Sequence, residues 1–133
     1  MTPKNYQTKS LHWLARYYER CRALQQAEDR FPSATAFTSI TGEIYEGTGL
    51  PYAKVDQVPG IPYVCLRIPT GGGKTLVGCE AVDIAVKQLL QADRAVILWL
   101  VPSDAIRQQT LGRLKGTPEN DLAPLDFRTR KSF

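Results

Sequence analysis

Metal-binding and cross-linking residues are scarce in this 133-residue chain, which has a single histidine, His12, and three cysteines. Cys21, Cys65 and Cys79 lie far apart and form no Cys-x-x-Cys pair, which speaks against a zinc site or a disulfide framework and fits a reducing, cytoplasmic setting. No apolar run approaches the about 20 residues needed to cross a bilayer, so no membrane partner is expected. The first ten residues are polar and lack an apolar h-region, so no secretion signal is expected either. Internal repeats and low-complexity segments are also missing. What remains is an ordinary globular composition, 43% hydrophobic and 23% charged, enough for one modest domain or a piece of a larger protein. The formal net charge of +4 permits a polyanionic partner without requiring one. Its basic groups, Arg16, Arg20 and Arg22 near the start and Arg128, Arg130 and Lys131 at the end, serve equally well as a solvated face and a frayed tail.

Along the chain, Leu11, Leu14, Tyr18, Cys21 and Leu24 fall at helical spacing and predict an amphipathic helix from Gln7 to about Ala27. A short second helix is expected from Ser33 to Ile40, with Ser33 as its N-cap and Gly42 closing it. From Gly42 to Pro62 the chain is rich in glycine and proline and reads as a long loop, the boundary between an N-terminal helical region (1–60) and a second region (61–114). Tyr63–Ile68 reads as a strand, followed by a helix carried on to Leu90 and a turn at Gln91–Arg94. The continuously apolar Ala95–Val101 reads as a strand buried on both faces of a parallel sheet. Cys65 in the first strand and Cys79 in the helix are expected to be small buried thiols. Pro102 ends the second strand, Ser103 is placed to cap a helix over Asp104–Leu114, and residues 115–133 read as an irregular tail. Strand, helix, strand is a βαβ unit, so the expected fold class is α/β.

At the centre lies Ile68-Pro69-Thr70-Gly71-Gly72-Gly73-Lys74-Thr75. Between a strand and a helix, this is the context of a phosphate-binding P-loop. Consecutive glycines let the backbone turn its N–H groups onto an anion, and the following helix adds its unpaired amides and positive dipole end. Lys74 would reach the β- and γ-phosphates, and the Thr75 hydroxyl could coordinate Mg²⁺. The general pattern G-x-x-x-x-G-K-[ST] would place glycine at 68, where this chain has Ile68, so Gly71, Gly72 and Gly73 are left to make the turn.

The stretch Pro69–Thr75 together with Leu98-Trp99-Leu100-Val101-Pro102-Ser103 resembles superfamily 2 helicases. The nearest likeness is to the DEAD/DEAH-box-like ATPases related to the restriction (Res) subunit of type III restriction enzymes. The resemblance implies a RecA-like P-loop fold, of which residues 61–114 would be the first βαβ. It implies ATP and Mg²⁺ as cofactors, with Thr70, Gly71, Gly72, Gly73, Lys74 and Thr75 on the phosphates and metal. Ser103, where the family's motif Ia opens a helix, would touch the phosphate backbone of a nucleic acid, DNA more than RNA. Gln109 falls where that helix often has a glutamine. Tyr6-Gln7 is similar to the Tyr-Gln pair that opens these ATPases, where the glutamine lies near the adenine. A modification or nuclease subunit is an implied partner.

The chain also departs from that pattern. It contains no Asp-Glu dipeptide to hold Mg²⁺ and position the attacking water, and Asp104 is read as a helix first-turn residue instead. The expectation is therefore an N-terminal piece of a translocase, catalytically incomplete alone, marginally stable, and leaving the family's pattern near residue 115. Other P-loop NTPases are the first alternative, although the guanine-reading Asn-Lys-x-Asp element is absent. A non-catalytic anion-binding interaction module is the second.

Overall fold

A computed structural model describes residues 4–114. Its elements are α1 (Asn5–Gln26), α2 (Pro32–Tyr45), α3 (Lys74–Ile84) continued by a π-helical turn (Ala85–Leu90), and α4 (Asp104–Leu114). The expected tail, 115–133, lies outside the described residues, as do Arg128, Arg130 and Lys131.

α1 is the central element for all but α4, which among the described residues meets only α3. One of its faces packs on α2, and it also meets α3 and the π-helical turn. Leu14, Tyr17 and Cys21 of α1 meet Ala36 and Ile40 of α2 in the buried core, with Trp13, Tyr18, Leu24, Phe37, Ile44, Val64, Ala81 and Leu89 around it. The seam between α1 and α2 is closed on its outer side by Arg16 and Arg20, which reach Glu43 at 2.8 and 3.5 Å, and by an Arg20–Ser39 hydrogen bond of 3.2 Å. Two of the basic residues read as a free solvated face are thus committed to one carboxylate.

α2 differs from expectation at both ends. It starts at Pro32, whose fixed φ and missing N–H suit the first helical position. Ser33 is consequently inside the helix and buried, with its hydroxyl lacking a partner among the described residues, and does not cap. Asp29 does the work instead: its carboxylate accepts from the Phe31 N–H at 2.7 Å and the Thr35 hydroxyl at 3.3 Å. Gly42 does not close the helix, which runs to Tyr45 and ends with Glu46 at φ 52°.

The largest correction concerns fold class. The expected α/β P-loop architecture, a RecA-like βαβ, is not what the chain adopts: the described residues hold four helices and no strand or sheet. Neither Tyr63–Ile68 nor Ala95–Val101 makes a backbone ladder hydrogen bond among the described residues. The second run is not buried on both faces, since Leu98 and Leu100 are 80% and 81% exposed. Apolar, β-branched composition favours a strand only when a neighbouring strand accepts its amides, and none is described here. Cys65, expected to be buried, is exposed as a result, whereas Cys79 is buried in α3 as expected.

Candidate functional site

The glycine loop and the start of α1 meet although 65 residues separate them in sequence. The Gln7 side chain is buried, and its Nε2 donates to the Gly72 carbonyl at 2.6 Å. Its Oε1 accepts the Lys4 N–H at 2.7 Å, while the Lys4 carbonyl accepts the Gln7 N–H at 2.9 Å. The Gln7 side chain thus makes the return half of a capping box from the third helical position, while the Lys4 carbonyl, not its side chain, takes the Gln7 N–H. A single amide therefore both closes the N-terminus of α1 and holds the loop. The Tyr6 hydroxyl donates to the same Gly72 carbonyl at 3.0 Å. Sequence reasoning assigned Gln7 to an adenine and gave Tyr6 no role. The structure places both on the loop backbone.

The loop is a tight turn. The Pro69 carbonyl accepts the Gly72 N–H at 2.9 Å and the Lys74 Nζ at 3.2 Å. Gly71 and Gly73 stand at φ 72° and 74°, a region that side chains with a Cβ rarely enter. A Cβ on Gly72 would lie 2.7 Å from both the Pro69 oxygen and an Ile68 methyl, so the middle glycine is required by close approach. Ile68, which stands where the general pattern has glycine, is thus the wall against which the turn folds.

A second chain of contacts holds the entry to the loop. Phe37 of α2 packs edge-on to Tyr17 in the core, with ring centroids 6.1 Å apart, and lies 5.4 Å from the ring of Tyr52. The Tyr52 hydroxyl accepts the Tyr63 N–H at 2.8 Å. The core thus reaches, through two rings and a hydroxyl, to the segment that leads into Pro69.

α3 begins at Lys74 with Gly73 as its N-cap, no capping side chain and no acid in its first turn. Val77 is the first of its residues whose N–H finds a helical carbonyl, that of Gly73, at 3.0 Å. The amides of Lys74, Thr75 and Leu76 have no acceptor among the described residues. Open amides, the positive end of the helix dipole and the exposed Lys74 ammonium converge at one point, where they can hold an anion. These features fit the phosphates of ATP. For Mg²⁺ they offer one oxygen, the Thr75 hydroxyl. No cluster of three or more His, Cys, Asp or Glu side chains exists among the described residues to complete a metal set. Thr70 is exposed in the turn.

Ser103 caps α4, its Oγ accepting the Ile106 N–H at 3.4 Å. The Asp104 carboxylate pairs with Arg107 at 2.6 Å and so serves the first turn of its own helix. α4 meets α3, but no hydrogen bond joins Ser103 to the glycine loop among the described residues. The structure therefore brings together Gln7, Gly71, Gly72, Gly73 and Lys74, and leaves Ser103 apart. No protein-family model, curated protein or solved structure matches the chain.

Proposed function

We propose that the chain is the ATP-binding part of a helicase- or translocase-like ATPase acting on DNA, with the nucleotide's phosphates seated on Gly71–Thr75. The reading rests on one observation above the rest. A glycine loop with two left-handed residues runs directly into an uncapped helix whose first residue is an exposed lysine. Bound phosphate would take Lys74 from the Pro69 carbonyl and accept from the free amides of Lys74, Thr75 and Leu76. Gln7 and Tyr6 would hold the loop in the receptive turn from behind. The Thr75 hydroxyl would serve as a protein ligand to Mg²⁺, which when bound would offset phosphate charge. Ser103, at the start of α4, is the proposed contact to a nucleic-acid backbone.

Hydrolysis is not part of the proposal for this chain alone, because its sequence holds no Asp-Glu pair after an apolar run to hold the metal and position water. The same observation favours a second reading, a non-catalytic module in which the loop holds another phosphate-bearing ligand. Calorimetric titration with an ATP analogue and Mg²⁺, repeated with inorganic triphosphate, separates the two. The ATPase reading expects the adenosine moiety to strengthen binding, and equal affinity for triphosphate alone would favour the module. No heat of binding from either ligand would defeat both.

A further inference from the structure

A glutamine side chain can read an adenine edge, with its oxygen accepting from the N6 amino group and its N–H donating to N7. At Gln7 both halves of that amide are already in use. Oε1 accepts the Lys4 N–H at 2.7 Å, and Nε2 donates to the Gly72 carbonyl at 2.6 Å. These partners fix the orientation, because a flipped amide would set N–H against N–H at Lys4 and oxygen against oxygen at Gly72. The side chain is 4% exposed, so its remaining hydrogen and lone pair have no opening that a base edge could enter. Nε2 also lies tight against the next residue of the turn, where a Cβ on Gly73 would stand 2.5 Å away. Swinging Gln7 out to a base would break the cap at the start of α1 and take a donor from the loop. Tyr6 does not replace it as a reader. The hydroxyl, the group on that ring able to hydrogen-bond a base, is itself spent on the Gly72 carbonyl at 3.0 Å.

We infer that the site selects the triphosphate and not the base. Gln7 is a positioning residue for the glycine turn, and purine and pyrimidine nucleoside triphosphates are accepted alike. The inference rests on the reading that Gly71–Thr75 holds a nucleotide's phosphates. The groups offered there are the open amides of Lys74, Thr75 and Leu76 and the exposed Lys74 ammonium, which attract phosphate oxygens and carry no information about a base. What a nucleoside adds to bare triphosphate then comes from the ribose and from the flat face that every base has.

Calorimetric titration of the whole chain with Mg²⁺ and non-hydrolysable analogues of ATP, GTP and CTP tests this. Their Kd values should fall within about threefold of one another. A preference for the ATP analogue of roughly tenfold or more would overturn the inference and leave the phosphate site standing. No binding of any analogue, nor of inorganic triphosphate, would defeat the phosphate site itself and the inference with it. Gln7→Ala supplies a second readout, taken at a temperature where circular dichroism shows the variant folded. Loss of the turn's holder should weaken all three analogues and inorganic triphosphate by the same factor, roughly fivefold, the worth of one hydrogen bond. A loss confined to the ATP analogue, or no loss for any ligand, would overturn the positioning role. If the variant does not fold, the ranking of the analogues on the unsubstituted chain still decides.

Discussion

Replacing Gln7 with alanine removes two hydrogen bonds at once, the 2.6 Å bond to the Gly72 carbonyl and the 2.7 Å bond from the Lys4 N–H. The side chain is 4% exposed, so water does not replace it freely. The buried bond to Gly72 and the part-buried one from Lys4 each stabilise by about 1 kcal/mol. The Gly72 carbonyl keeps the Tyr6 hydroxyl at 3.0 Å and is not orphaned, and alanine's better helix propensity returns a few tenths of a kcal/mol. The expected loss is therefore about 2 kcal/mol, or roughly 8 °C in Tm for a chain of this size. Thermal unfolding followed at 222 nm reads that shift. Gln7→Glu separates the two duties, since it keeps an acceptor for Lys4 but faces the Gly72 carbonyl with a carboxylate. It should retain the α1 cap while loosening the loop, and amide exchange should quicken at Gly72 and Gly73 more than in α1. A Gln7→Ala chain melting with the unsubstituted one would refute the argument that this amide fastens the loop.

Other expectations follow from the same structure. Ile40→Ala should destabilise the α1–α2 core by about 3 kcal/mol in chemical denaturation, because Ile40 is buried and its neighbours can collapse only partly. Thiol titration of the native chain should find Cys65 reacting quickly while Cys21 and Cys79 react only on unfolding, since burial pushes both buried thiols up from their ordinary range. Burial likewise raises Tyr17, first among its causes, and Tyr18. An acid whose folded pKa is raised lends stability that is complete below its unfolded pKa and is lost as pH climbs beyond it. Tm should therefore hold near neutrality, begin to fall at about pH 8 as unfolded cysteine loses its proton, and fall further through about 9 to 11 with unfolded tyrosine, protons that the folded chain keeps. Tyr17→Phe should flatten part of that decline.

Helices were more legible in the sequence than strands were. The α1 stripe and the continuation of α3 to Leu90 lie where periodicity placed them, because a helix satisfies its own amides and needs only one apolar face. Strands need a partner that local sequence does not contain, and Val96, Leu98 and Leu100 stand in the open for want of one. The Pro32-Ser33 pair misled in a smaller way: a serine caps only from outside the helix, and proline at the first position had already carried Ser33 inside. Within the site, the glycine turn and Lys74 were readable from residue type. The contact of Gln7 with Gly72 was not, since it spans 65 residues and depends on how α1 crosses the loop. The one available signal was a glutamine three residues into a helix, which marks a capping box but not the second use of its amide.

The central claim is that the loop amides and Lys74 hold nucleotide phosphate. Amide chemical shifts of Gly71, Gly73, Lys74, Thr75 and Leu76, followed while an ATP analogue and Mg²⁺ are added, test it most directly. Saturable shifts should be largest at those five amides and should be lost in Lys74→Ala, whose exposed side chain should cost the fold little. Shifts confined to other parts of the chain, or saturation unchanged in Lys74→Ala, would contradict it.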